Sequence, residues 1–166
     1  YYGTRSYKII IGIIISFFFV GYMGMWDDMM QSMGFIIVAT IMAITFGIPL
    51  GVWMAKSNRA QAIITPILDF MQTLPPFVYL ITVVMLLGIG KIPGLISVIV
   101  YALPPMIRLT NLGIREVDRE ILEAADSFGA TPWQKLTQVQ FPLALPTIFA
   151  GVNQTIMMAL AMVIIA

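Results

Sequence analysis

The chain has 166 residues, of which 60% are hydrophobic and 10% are charged, whereas soluble domains average about 45–50% apolar and about 25% charged residues. This composition excludes an ordinary soluble domain and a disordered tail. The chain contains no cysteine, which excludes a disulfide scaffold. It also contains no histidine, so the usual ligands of soft metals and the usual residue of acid–base catalysis are absent. A net charge of +1 argues against nucleic acid as a partner.

Long stretches without charged residues predict five membrane-spanning helices. A bilayer core of about 30 Å needs about 20 mostly apolar residues in a helix. The predicted fold is therefore an all-α, polytopic membrane protein, and the third span is expected to recruit part of the segment before it. Because the chain starts at Tyr1 and ends at Ala166 within an apolar run, we expect a fragment of a longer polypeptide. The five predicted spans are residues 8–25, 33–55, 74–90, 93–112 and 143–166.

The basic residues predict the orientation of these spans. With a cytoplasmic N-terminus, eight of the nine Lys and Arg residues lie on or near the inner side, and only Lys91 lies outside. Basic residues concentrate on the cytoplasmic side of membrane proteins, so we expect a multi-pass protein of the cell membrane with its N-terminus in the cytoplasm. No predicted span carries an ionisable group near its centre, and Arg108 is expected to reach the inner face.

Small residues form a stripe on the second predicted span. They recur at every fourth position, which places them on one helix face. Close backbone approach is a main source of helix association in lipid, so the stripe predicts a helix-packing surface. Packing within the chain and packing against a second subunit are both possible, and we favour the first. The stripe consists of Ala39, Ala43, Gly47, Gly51 and Ala55.

The longest polar segment, residues 113–141, carries eight of the 17 charged residues and is expected on the cytoplasmic side. Asp118 is a suitable N-cap for a short helix, which Gly129 would end in a left-handed turn. Thr131 is a suitable N-cap for the next helix, with Gln134 completing a capping box. The segment therefore predicts a helix–turn–helix element beside the membrane.

A motif in this segment resembles the EAA loop of ABC importer permeases. The family pattern is an E-A-A triplet, a glycine after three residues, and an I-x-L-P run after nine more. Valine and phenylalanine replace the isoleucine and leucine here, which exchanges one apolar residue for another. The matching residues are Glu123-Ala124-Ala125, Gly129 and Val139-Gln140-Phe141-Pro142.

The resemblance implies one permease transmembrane domain over residues 1–166, with its coupling loop at 113–141. It implies a transport subunit and not an enzyme, with no cofactor on this chain. ATP and Mg²⁺ would bind a separate ABC ATPase subunit onto which the loop docks. The residues implied in ATPase coupling are Glu123, Ala124, Ala125 and Gly129.

Five other stretches, at residues 26–28, 68–80, 88–90, 103–108 and 150–155, are similar to permeases for glycine betaine and proline betaine. This similarity implies import of a quaternary-amine osmolyte by a permease homodimer. It also implies an extracytoplasmic substrate-binding protein or a fused binding domain. Another small polar solute, such as an amino acid, is the alternative. A secondary carrier is disfavoured because carriers usually need an ionisable group deep in the membrane.

Four residues are predicted to line the substrate pathway. Aromatic faces attract quaternary ammonium groups, and broken helices in membrane proteins line cavities. We expect Pro75-Pro76 and Pro104-Pro105 to interrupt the third and fourth spans. Hydrogen bonding between helices is an alternative role for the two amide side chains. The predicted pathway residues are Tyr79, Tyr101, Asn153 and Gln154.

Overall fold

The computed structural model describes residues 3–166, without the side chains of residues 3–6 and 8. Arg5 and Lys8, two of the basic residues counted on the inner side, are therefore outside the described side chains. All regular structure within residues 3–166 is helical, which confirms the predicted all-α fold. The helices are α1 (Gly3–Tyr22), α2 (Trp26–Lys56), α3 (Asn58–Thr73), α4 (Pro76–Leu87), α5 (Lys91–Arg115), α6 (Arg119–Ser127), α7 (Pro132–Gln134) and α8 (Phe141–Val163), with a π-helical segment, Lys135–Gln140, between the last two.

Three described helical runs are long and apolar enough to cross a bilayer: Trp26–Lys56, Lys91–Arg115 and Pro132–Val163. The pair α3 and α4 passes the same test together, but it is bent by 98°, as in a broken span or a re-entrant loop. The apolar part of α1, Ile9–Tyr22, is shorter than these helices. The chain is thus polytopic. Its described residues contain three helices of spanning length, or four spans if the bent pair counts as one, and not five straight spans.

Two helices begin earlier than the predicted spans. α2 begins at Trp26 and not at residue 33, because Asp27-Asp28 in its first turn complement the positive end of the helix dipole. The last helical run begins at Pro132 and not at residue 143. A capping box at Thr131 starts it, and the π-helical segment continues it into α8. The predicted coupling loop, residues 113–141, therefore includes the end of α5 and the first residue of α8.

The two tandem prolines have different effects. Pro75-Pro76 separates α3 from α4, with Leu74 and Pro75 in extended conformations and Pro76 opening α4. The predicted interruption at Pro104-Pro105 is wrong, because both residues lie inside the continuous helix α5. Both are fully buried. Packed neighbouring helices can hold a helix together where proline removes backbone hydrogen bonds.

The chain divides into two compact units, Tyr1–Phe35 and Ile36–Ala166. In the first unit, the rings of Phe17 and Trp26 meet edge to face, with centroids 6.2 Å apart. The second unit contains the residues of every predicted functional site.

Helix α5 lies at the centre of the second unit. It contacts α3, α4 and α8, and 13 of its 25 residues are buried. Glycines bring α5 and α8 close together. A Cβ atom on Gly113 would lie 3.2 Å from the carbonyl oxygen of Ala144, and one on Gly151 would lie 3.1 Å from Cβ of Leu109. These helices approach so closely because neither glycine has a side chain.

The small-residue stripe of α2 lies against the same central helix. A Cβ atom on Gly47 would lie 2.7 Å from Cγ of Met106, and one on Gly51 would lie 2.8 Å from the carbonyl oxygen of Ile107. Ala55, at the end of the stripe, is half-buried. The stripe is therefore in close contact with another helix of the same chain. Its fully buried members are Ala39, Ala43, Gly47 and Gly51.

Gly51→Ala is expected to destabilise the protein by about 1–3 kcal/mol, the usual cost of overpacking a well-filled interior. The added methyl group would meet the backbone oxygen of Ile107, which cannot rotate away. Gly34→Ala in the same helix is the matched control, since a Cβ atom there meets nothing within 4 Å. Thermal unfolding of the detergent-solubilised protein measures both effects. Equal melting temperatures for the two variants would contradict the close packing of α2 on α5.

Candidate functional site

The polar segment folds into the helix–turn–helix that the sequence predicts. Asp118 caps α6, its carboxylate accepting the backbone N–H of Glu120 at 2.9 Å. Gly129 follows the helix with a φ of 76°, a left-handed conformation that glycine adopts at low cost. Thr131 and Gln134 form the capping box: the Thr131 hydroxyl accepts the Gln134 N–H at 3.3 Å, and the Gln134 side chain accepts the Thr131 N–H at 2.9 Å. The predicted caps and the positive φ are confirmed.

The base of this element is tied to the helices around it. Lys135, in the π-helical segment, forms an ion pair with Asp126 of α6. Lys56, the last residue of α2, donates a hydrogen bond of 2.7 Å to the side chain of Gln140. Leu136 is buried in the core that α5 and α8 share. The turn therefore projects from an anchored base.

The outer part of the element is exposed. No residue of α6 is buried. Phe128 is 92% exposed, Trp133 71% and Ile121 43%, so three large apolar side chains face outward. We call these three residues the apolar tip. The spacing of Ile121, Ala125 and Phe128 places them on one face of the segment, and Ala125 is half-buried. Exposed aromatic residues near the centre of a surface are typical of protein interfaces.

The motif residues lie beside the apolar tip. Glu123, Ala124 and Gly129 are exposed, and Ala125 is half-buried. The carboxylate of Glu123 accepts a 2.8 Å hydrogen bond from Arg119 one helical turn earlier. Both side chains are largely exposed, so this ion pair contributes little to stability. Small residues here leave the backbone of α6 open to an approaching partner.

Two of the four predicted pathway residues are brought together. The rings of Tyr79 and Tyr101 meet edge to face with centroids 5.4 Å apart. The hydroxyl of Tyr79, on α4, donates to the carbonyl oxygen of Met71, on α3. This hydrogen bond crosses the break at Pro75-Pro76 and helps to define the bend.

The other two pathway residues lie elsewhere. Asn153 and Gln154 are exposed on α8, whereas Gly151, Thr155 and Ala159 of the same helix are buried. The amide side chains therefore lie away from the face of α8 that packs within the unit. A polar side chain in the middle of an apolar helix needs a polar partner, because lipid offers no hydrogen bonds.

An apolar groove of about 570 Å³ lies beside the base of the helix–turn–helix element. It is formed by the end of α2 and by residues from α7 to the start of α8. Trp53 and Trp133 contribute its largest side chains. Its lining consists of Ile48, Pro49, Val52, Trp53, Lys56, Trp133, Leu136, Thr137 and Phe141.

Contacts of two arginine side chains could not be read from the sequence patterns. Arg108 of α5 forms an ion pair with Asp69 of α3. Arg115 donates to the carbonyl oxygen of Met54 at 3.0 Å and to the side chain of Asn58 at 2.9 Å. One signal was available for the first contact: an isolated acid and an isolated base lie in largely apolar segments, where charges usually pair.

Residues 47–166 match the family described as binding-protein-dependent transport system inner membrane component. The chain belongs to this family. The chain is 49% identical to the glycine betaine/carnitine transport permease protein GbuB of Listeria monocytogenes over 162 residues, which are 98% of the chain and 57% of GbuB. It is 51% identical to the glycine betaine/proline betaine transport system permease protein ProW of Escherichia coli over 156 residues, 94% of the chain and 44% of ProW. The chain spans about half the length of these relatives.

A solved structure shares the fold. A chain of the MetNI methionine ABC transporter, in an inward-facing conformation, superposes on this chain with a TM-score of 0.69. The match covers 80% of this chain and 68% of that one at 20% sequence identity. At this identity the likeness concerns the fold alone.

Tyr79→Phe is expected to loosen the bend between α3 and α4, because it removes the hydrogen bond to Met71, worth about 1 kcal/mol. Spin labels on cysteines introduced at the exposed positions Ile67 and Met85 would report the distance between the two helices. The distance distribution should broaden in Tyr79→Phe. It should not change in Tyr22→Phe, a control at a residue that is 83% exposed. An unchanged width in Tyr79→Phe would show that the prolines alone define the bend.

Proposed function

We propose that this permease is the transmembrane subunit of an ATP-driven importer for a quaternary-amine solute such as glycine betaine or proline betaine. The observation that carries the proposal is identity of about one half, across nearly the whole chain, to permease proteins named for these solutes. The partners proposed are an ABC ATPase that binds ATP and Mg²⁺, an extracytoplasmic substrate-binding protein or fused domain, and a second permease copy. The family description names binding-protein dependence.

We further propose that the N-terminus and the helix–turn–helix element face the cytoplasm. The uneven distribution of Lys and Arg supports this orientation. It puts the apolar tip on the side where ATP is available. The bent pair α3 and α4, the tyrosine pair and the exposed amides of Asn153 and Gln154 are proposed to line the substrate pathway. Their support is the aromatic contact and the exposure of two amides on an apolar helix.

The transported solute is tested with the full-length permease, its ATPase and its binding protein in lipid vesicles. We expect ATP-dependent uptake of radiolabelled glycine betaine, with competition by proline betaine. Vesicles loaded with ADP are the control, because an ATP-driven importer should not accumulate solute without hydrolysis. Uptake of an amino acid in preference to glycine betaine would replace the proposed substrate class. Accumulation driven by an ion gradient without ATP would instead indicate a carrier.

The coupling loop is proposed to act by docking its apolar tip into the ATPase. Aromatic residues surrounded by a charged rim form the most favourable contacts of many interfaces. Glu123, Arg119 and Asp126 supply charges on the other face of α6 from Ile121, while Ala124 and Gly129 let the partner approach the backbone. Because Lys135 pairs with Asp126, a force on α6 would reach the π-helical segment and then α8.

Gly129→Val is expected to weaken ATPase binding or to uncouple ATP hydrolysis from uptake, by about fivefold or more. Valine at a φ of 76° is strained by about 1–2 kcal/mol. Gly129→Asn is the matched control, because asparagine tolerates this conformation and also adds a side chain. Co-purification of the ATPase and substrate-stimulated hydrolysis are the measurements. Glu123→Arg should act on the same interface by charge reversal, with a smaller effect if Glu123 lies at its rim. Normal binding and coupling in Gly129→Val would refute the mechanism.

A further inference from the structure

Helices α3 and α5 carry charges of opposite sign that meet within apolar helical surroundings. The guanidinium of Arg108 pairs with the carboxylate of Asp69 across 39 positions of sequence. The pair is not sealed off, since the side chain of Arg108 is 39% exposed and that of Asp69 is 55% exposed. Ionisable residues inside membrane segments are rare and usually functional. The rest of the described chain therefore does not enclose this pair.

A pocket of about 240 Å³ lies beside the ion pair, at the junction of α2, α3 and α5. At about 30 Å³ per water in the liquid, it has the volume of about eight water molecules, which suits a small osmolyte. Polar and apolar side chains both contribute to its wall. The lining residues are Met54, Gln61, Thr65, Leu68, Arg108, Asn111 and Leu112.

Arg108 has hydrogen-bonding capacity that the protein does not use. Its Nη2 atom donates to Asp69, but its Nε atom is buried and has no hydrogen-bond partner. A buried donor without a partner costs free energy, which an acceptor recovers once the guanidinium turns so that the acceptor reaches Nε. Guanidinium groups bind carboxylates through two parallel donors, and Nε can serve as one of them. The unused capacity of Arg108 therefore suits a carboxylate.

The opposite charge is present beside the pocket, since Asp69 pairs with Arg108 but is not one of the residues that line the pocket. A bound carboxylate on Arg108 would release Asp69 from its present contact and leave its negative charge unbalanced. A ligand that carries a cation next to its carboxylate compensates both charges at once. The side chains of Met54, Leu68 and Leu112 give the pocket an apolar wall, which suits N-methyl groups better than an ammonium that must donate hydrogen bonds.

We propose that this pocket is a transit site for a zwitterion, with its carboxylate on Arg108 and its quaternary ammonium beside Asp69. The inference deepens the proposed function and rests on it for the substrate class. The pocket lies near the ends of α2 and α5 that lead to Lys56 and Arg115, so in the proposed orientation it is near the cytoplasmic exit. The Arg108–Asp69 pair re-forms when the solute leaves, which favours release.

Protection of a cysteine tests the pocket directly. The chain has no cysteine of its own, so Thr65→Cys, in a full-length permease free of other cysteines and purified with its ATPase, reports on the pocket wall. We expect glycine betaine to slow maleimide labelling at least threefold. Choline, which lacks the carboxylate, and acetate, which lacks the ammonium, should need at least tenfold higher concentration for the same protection. Ile63→Cys is the control, because it is exposed on the same helix and does not line the pocket.

A second set of variants separates binding from a purely structural ion pair. Arg108→Lys keeps a positive charge opposite Asp69 but removes the planar pair of donors. The double variant with Arg108→Lys and Thr65→Cys should still assemble with the ATPase. About tenfold more glycine betaine should be needed to slow maleimide labelling of its cysteine. If the ion pair were purely structural, lysine would leave that concentration unchanged. Asp69→Asn should reduce the preference for glycine betaine over acetate, because the site for the cation is lost.

The outcomes distinguish this inference from the proposed function. Equal labelling of Thr65→Cys with and without glycine betaine overturns the transit site, even if wild-type vesicles accumulate glycine betaine with ATP. Equal protection at both cysteines also overturns it, since the effect is then not specific to the pocket. Failure of ATP-driven uptake contradicts the proposed function, while the protection assay, which needs no transport, still decides whether the pocket binds the zwitterion.

Discussion

The close approach of helix backbones to α5 is the constraint on which the second unit depends. Lipid is as apolar as leucine, so helices in a bilayer gain little by hiding side chains from it, and close contact must hold them together. Gly47 and Gly51 of α2 bring one helix against α5, and Gly113 and Gly151 bring α8 against it. Because these glycines have no Cβ atom, both α2 and α8 can pack against α5. The packing of these helices in turn lets α5 continue as a helix through two consecutive prolines.

This arrangement connects the helix–turn–helix element to the centre of the unit. α5 leads into α6, and the helical run that follows the turn returns through the π-helical segment to α8, which packs on α5. A π-helical turn breaks the regular hydrogen-bond pattern and here lies just before Pro142, which has no backbone donor. The element is thus held between two helices that contact each other closely. If an ATPase moves the turn, as we propose, α5 and α8 move together.

Local signals in the sequence were sufficient for some features and insufficient for others. The caps at Asp118 and Thr131, and the positive φ of Gly129, depend on residues within a few positions of each other, so they could be predicted. The effect of a proline depends on what surrounds it. Pro75-Pro76 bends the chain where the helices are less buried, and Pro104-Pro105 does not, because burial by other helices is invisible to local pattern. The Arg108–Asp69 contact depends on how α3 packs on α5, which periodicity does not determine.

The charge balance of that contact explains why an ion pair suits a transit site better than a single charge would. A lone cation in a membrane segment is costly, and it would bind a carboxylate tightly and release it slowly. In the pair, each charge already has a partner, so a zwitterion exchanges one neutral arrangement for another and gains only the unused donor of Arg108. A plain cation or anion leaves one protein charge uncompensated. The pair is tolerable between helices because its two charges balance. The same balance makes the site select a zwitterion and bind it weakly, as a molecule in transit requires.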